Sequence, residues 1–177
     1  MSNFEFLGKA DLSDLNAQIA ASPHLWNQHG WRKRTGSPHT EMSDIWVRFA
    51  ENPDDVAKPH FAKWYPAYYE LPALKPLIFG AMAKAEASHL GGVLITRIPP
   101  HGKIDAHVDR GWHPEFYNYK AYFVLQSNDA CEFWIENERQ VMKQGEVWRI
   151  NNLAVHGVDN NGDTERQTLI VCMRKDG

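Results

Sequence analysis

The rhythm of apolar and polar positions changes about halfway along the chain. In "DLSDLNAQIAAS", Leu12, Leu15 and Ile19 recur at helical spacing, which predicts a short helix with Asp11 or Ser13 at its start. From Trp26 to Thr40 the period is lost among Gly, Pro, His and basic residues, and a loop is expected. "DIWVRFAE" alternates as a strand does, with Trp46 and Arg48 on one face. "NPDDVAKPHFAKWYPAYYELP" carries four prolines, too many for a long regular element. Its aromatics and lack of Ser/Gly bias predict an ordered loop, not a linker. "ALKPLIFGAMAKAEASHLGG" is the clearest helix, with Pro76 in its first turn and Gly91-Gly92 at its end.

Beyond these glycines the texture is that of short strands. "GVLITRIPP", "GKIDAHVD", "YNYKAYFVLQ", "CEFWIEN", "EVWRINN", "AVHGVD" and "RQTLIVCMR" are rich in Val, Ile, Thr and aromatics, and turn residues separate them. Helices early and strands late predict a mainly β (α+β) chain, a β-barrel buttressed by helices. We expect a single domain over 1–177: helices, loops and accessory strands through residue 90, then a strand-rich core.

Composition narrows the function. The chain has 177 residues, 43% hydrophobic and 23% charged, enough for a core without staples. A net charge of -3 gives no basic footprint for nucleic acid. No apolar run approaches the roughly 18–20 residues of a spanning helix, so no membrane partner is expected. The start, "MSNFEFLGKADLSDL", lacks the regions of a secretory signal, and a soluble cytoplasmic protein is expected. Cys131 and Cys172 form no C-x-x-C pair and read as buried thiols. Seven tryptophans and six tyrosines fit core packing or an aromatic-lined pocket.

The chemistry concentrates in "DAHVDRGWHPEF". His107 and Asp109, two apart, would share a strand face. His156, on the short strand in "NNLAVHGVDN", can complete a two-histidine, one-carboxylate triad, which fills one face of an octahedral iron(II) and leaves three positions open. Arg166 follows ten residues later. A guanidinium inside a barrel is costly unless an anion meets it, and it can hold a carboxylate through two parallel hydrogen bonds. That arrangement suits the distal carboxylate of 2-oxoglutarate.

The stretch from Gly91 to Arg174 resembles the aspartyl/asparaginyl β-hydroxylase family, through "ITRIPPHGKIDAHVD", "YKAYFVL", "GEVWRINNLAVHGV" and "RQTLIVCM". The resemblance implies a double-stranded β-helix (jelly-roll, cupin-like) fold with Fe(II), 2-oxoglutarate and O2 as cofactor and cosubstrates. It implies His107 and His156 as metal ligands, Arg166 on the cosubstrate's distal carboxylate and Thr96 assisting it. Where the family has a basic-x-histidine pair contacting the cosubstrate, this chain has Lys120 and Tyr122. Some relatives carry glycine where this chain has Asp109.

The expected activity is hydroxylation of a C–H bond in a small-molecule or peptide substrate, such as an aspartyl or asparaginyl residue or a related amino acid. Trp112 and His113, beside the motif, and Trp46 and Arg48 are the substrate-side candidates. Arg32, Lys33, Arg34 and Arg48 offer charge for an acidic substrate or form a solvated cluster. His24, His29, His39, His60, His89 and His101 are expected to be exposed. The rivals are a non-catalytic cupin-like module binding a metal or small acid, and a metal enzyme of another class, such as an isomerase or a cosubstrate-independent dioxygenase, which would not need an arginine ten residues past the last ligand.

Overall fold

The computed structural model describes residues 2–176, apart from the side chain of Asp55. In chain order the elements are β1 (Phe4–Lys9), α1 (Ser13–Ala21), β2 (Ser43–Ala50), β3 (Ala62–Trp64), α2 (Ala67–Glu70), α3 (Leu74–Ala85), β4 (His89–Ile98), β5 (Lys103–His107), α4 (Trp112–Phe116), β6 (Tyr119–Gln126), β7 (Cys131–Ile135), β8 (Glu138–Gln140), β9 (Glu146–Ile150), β10 (His156–Asn160) and β11 (Arg166–Arg174). The strands form a seven-stranded sheet, ordered β1-β9-β6-β11-β4-β2-β3, and a four-stranded sheet, ordered β5-β10-β7-β8.

From β4 onward the chain crosses between sheets at almost every step, the β7–β8 hairpin aside, which is the winding of a double-stranded β-helix. The two sheets are not joined into one ladder, so the closed barrel expected from the strand run is instead a pair of sheets. Among the described residues no helix is long and apolar enough to cross a membrane.

Strand alternation divides the large sheet's side chains between two environments. Leu169, Val171 and Met173 of β11, Ala121, Phe123 and Leu125 of β6, and Val93 and Ile95 of β4 pack against Leu15 and Ile19 of α1 and Leu74 and Ile78 of α3. Burying such a side chain stabilises the fold by about 1.5–3 kcal/mol. The alternate positions, Arg166, Ile170 and Cys172 on β11, Lys120 and Tyr122 on β6, and Leu94 and Thr96 on β4, line a cavity shared with residues of β5 and β10. One sheet thus holds a helix-covered core on one side and a mixed polar surface on the other.

Three local expectations need correcting. The helix α3 ends at Glu86, in the left-handed conformation (φ 53°), and not at Gly91-Gly92, which lie within β4. A Cβ on Gly91 would stand 2.6 Å from the Tyr117 ring, so glycine here serves close packing. In β2 a register shift falls between Trp46, opposite Leu94, and Arg48, opposite Val93. Neighbouring residues of β4 face opposite ways, so the bulge turns Arg48 away from the face Trp46 occupies. Finally, β1, β3, β8 and the short helices α2 and α4 go beyond the elements predicted from sequence. Both cysteines are buried and unpaired, as expected.

Candidate metal centre

Pairing of β10 with β5 sets His156 directly opposite His107, and their ring centroids are 4.3 Å apart. Cross-strand neighbours stand about 5 Å apart at Cβ, close enough for two imidazoles to share one ion. Because β5 ends at His107, Asp109 comes from the segment beyond it, and strand-face spacing does not place it. Its backbone N–H donates to the Asn152 carbonyl at 3.2 Å, which ties it to the approach to β10. Next to His156, a Cβ on Gly157 would stand 2.5 Å from the Trp134 ring and 2.8 Å from the Ile104 carbonyl. Glycine is what allows β10 to lie this close to its neighbours.

His107, Asp109 and His156 each offer one ligand atom, and these atoms lie within 4.8 Å of one another. His107 Nδ1 bonds the Asp105 carbonyl at 2.8 Å, and His156 Nδ1 bonds the Ala154 carbonyl at 2.9 Å. A carbonyl can only accept, so each ring carries a proton on Nδ1 and, when neutral, leaves Nε2 bare. Asp109 Oδ1 is 3.7 Å from His107 Nε2. Its other oxygen, Oδ2, accepts from Lys120 Nζ and, at 3.0 Å, from Asn152 Nδ2. Two bare imidazole nitrogens and one carboxylate oxygen form the donor set of a first-row divalent metal with open positions, and the residues present therefore fit Fe(II).

The electrostatics keep these donors ready. Burial acts to raise the Asp109 carboxyl, but Lys120, His156 and His107 outweigh it and hold it well below the usual carboxylate range. Burial pushes His156 below the ordinary imidazole value, favouring the neutral ligand form. It also opposes the charge on Lys120, yet the Asp109 carboxylate overrides that and keeps the ammonium protonated. Burial lowers Arg166 as well; its guanidinium meets Met142 Sδ at 4.0 Å, and among the described residues no carboxylate pairs with it.

The cavity of about 130 Å³ brings together His107, Asp109, His156, Arg166, Thr96, Lys120, Tyr122 and His113. Trp112 lies outside it, in a separate recess with Arg48, His60, Phe61, Phe116 and Tyr117. Trp46 also lies outside, stacked on His29 and packed against Phe49 and Tyr65. A larger apolar cavity of about 220 Å³ beside α3 has no histidine, cysteine or carboxylate in its walls.

Two further residues neighbour the triad: His39, which is half-buried and not exposed as expected, and Asn152, which no expectation named. His39 sits with its ring 5.0 Å from that of His107, and burial, with Arg32 beside it, lowers it to about 2. Asn152, buried, holds Asp109. The first lies in an irregular loop with no spacing signal; the second is one of two asparagines in "NNLAVHG" that nothing in the pattern distinguishes. His29 and His60 are half-buried, not exposed: His29 stacks on Trp46, and His60 stacks on His113 with a 3.0 Å hydrogen bond. His24, His89 and His101 are exposed, as expected.

Solved structures share this architecture. A prolyl hydroxylase from Trichoplax adhaerens, in complex with a hypoxia inducible factor peptide fragment, superposes with TM-score 0.63 at 9% identity, covering 97% of this chain and 83% of that one. A viral collagen prolyl hydroxylase from Paramecium Bursaria Chlorella virus-1, in a 2OG complex, gives 0.60 at 9% identity over 99% and 97%. A 2OG-Fe(II) oxygenase family oxidoreductase from Burkholderia pseudomallei gives 0.56 at 12% over 77% and 67%. At these identities the likeness is one of fold. No curated protein matches by sequence. The profile described as Aspartyl/Asparaginyl beta-hydroxylase matches residues 18–176, nearly the whole chain. This chain belongs to the aspartyl/asparaginyl beta-hydroxylase family.

Proposed function

We propose that the protein is an Fe(II)- and 2-oxoglutarate-dependent dioxygenase that hydroxylates a C–H bond of an amino-acid-like substrate, free or within a peptide. The observation that carries this is the convergence of His107, Asp109 and His156 in the same cavity as a buried Arg166 that pairs with no carboxylate among the described residues. Iron(II), when bound, supplies the oxidising chemistry, and the balance is substrate C–H, O2 and 2-oxoglutarate giving C–OH, succinate and CO2.

The chain's own residues do the rest. His107 and His156 present Nε2 because the Asp105 and Ala154 carbonyls hold their Nδ1 protons. Asp109 supplies one anionic oxygen and offsets part of a dication's charge. Arg166 takes the distal carboxylate of 2-oxoglutarate, with the buried Thr96 hydroxyl in the same cavity to assist it. Tyr122 stays a neutral phenol, because burial pushes it well above its ordinary value, and so remains a hydrogen-bond donor. Phe133, Val158 and Ile170 wall the cavity and limit the water that competes for the open face. His113, buried in the cavity wall, is the substrate-side residue the fold supports best.

The test is succinate formation from 2-oxoglutarate in air with added Fe(II). We expect turnover in the wild type and none in His107→Ala or His156→Ala. Tight binding of metal and 2-oxoglutarate with no decarboxylation, alone or with amino-acid and peptide substrates, would instead mark a binding module.

A further inference from the structure

The Asp109 carboxylate divides its two oxygens between two tasks. Oδ1 faces His107 Nε2 at 3.7 Å, while Oδ2 is held from behind by the Lys120 ammonium and the Asn152 amide. Lys120 is buried, its side chain 11% exposed, and Asp109 is the one carboxylate it pairs with among the described residues. It lies on β6 in an inward-facing position of the large sheet, as does Arg166 on β11. The cavity therefore carries Lys120 and Arg166 as fixed cations behind and beside a site built for another, while Arg32 in its wall is paired with Asp44 at 3.6 Å.

From this juxtaposition we infer that Lys120 couples metal binding to cosubstrate binding: its charge weakens a divalent ion bound alone and strengthens the ion together with a 2-oxo dianion. The inference rests on the function proposed above. With Asp109 counted at -1, an ion at +2, and Lys120 and Arg166 at +1 each, the metal-only site carries +3. A dianion brings it to +1. Like charges at close range in a low-dielectric cavity repel strongly, and a dianion relieves that repulsion. Lys120 thus disfavours the half-loaded site, in which a bound Fe(II) would meet oxygen without 2-oxoglutarate to supply electrons. Asn152 makes the same contact to Oδ2 without the charge, so it acts as a positioning residue alone.

The two roles are separable because they have opposite signs. Mn2+ is the redox-silent probe, its affinity read by electron paramagnetic resonance, and 2-oxoglutarate affinity is then read by calorimetry on the Mn2+-loaded protein. In Lys120→Met we expect Mn2+ to bind more tightly by about tenfold and 2-oxoglutarate more weakly by about tenfold. In Asn152→Ala we expect Mn2+ to bind more weakly by about tenfold, with no gain on either axis. Structural damage would weaken both ligands and cannot give the crossed pattern. Mn2+ affinity in Lys120→Met equal to or below that of the wild type overturns the inference, as does unchanged 2-oxoglutarate affinity. If the Met variant fails to fold, the same pair of affinities in Lys120→Gln decides. A wild type that binds no Mn2+ overturns the proposed function itself, so failure at that level is distinguishable.

Discussion

Arg166 should weaken the resting fold while serving the cosubstrate, so replacing it ought to stabilise the protein and disable it together. Consider Arg166→Met, which keeps length and removes charge. The wild-type residue is 4% exposed, its guanidinium meets a thioether at 4.0 Å and an aromatic face at 5.7 Å, and it has no carboxylate partner among the described residues. Exchanging buried charge for an apolar side chain of similar volume is often stabilising, by about 1–4 kcal/mol. Taking about 2 kcal/mol, a chain of this length should melt about 4–8 °C higher. The wild type should instead be stabilised by ligand, by about 2.7 kcal/mol at a hundredfold excess over Kd. The assay is thermal unfolding of both proteins with Mn2+, with and without 2-oxoglutarate. We expect Arg166→Met to start higher and not to respond, and the wild type to start lower and rise. A variant that melts lower than the wild type and still responds to 2-oxoglutarate would refute the reasoning and make Arg166 a structural residue.

Gly157→Ala should destabilise the fold by about 1–3 kcal/mol, because its Cβ meets Trp134 and the Ile104 carbonyl; denaturant melts together with Mn2+ titration should show lost stability and weakened metal binding. His113 is lowered to about 3, chiefly by burial and the Lys120 charge, so below about pH 6.5 the unfolded chain takes a proton that the native one refuses. Stability should therefore fall with acidity, by about 2 kcal/mol from this group between pH 7.5 and pH 5, and His113→Gln should flatten that slope in pH-dependent melts. Asp109→Gly should weaken Mn2+ binding yet keep measurable succinate formation, because His107 and His156 remain to hold the metal; complete loss of turnover would make the carboxylate essential here.

Much of the site was legible because its residues sit on strands with an unambiguous face. Arg166, Thr96, Lys120 and Tyr122 occupy strand positions that alternate with residues buried under the helices. The pairing of His156 with His107 was not legible, because strand order across a sheet leaves no trace in local pattern. Asp109 was found for the wrong reason: spacing of two implied a strand, but the strand stops at His107 and Asn152 does the positioning. The shared face expected for Trp46 and Arg48 is lost because a single bulge in β2 breaks the alternation and turns Arg48 away. The Gly91-Gly92 pair looks like a helix stop in sequence, yet at Gly91 it answers a close approach by Tyr117 from the segment after α4. In each failure a distant part of the chain decides the geometry.

The proposed function requires three side chains to grip one ion. Crystals soaked in Mn2+ and measured at its absorption edge would show this directly. We predict one strong anomalous peak about 2.2 Å from His107 Nε2, His156 Nε2 and Asp109 Oδ1, with Oδ2 still on Lys120 and Asn152. A peak that leaves either histidine uncoordinated, or no peak in this cavity at all, would contradict it.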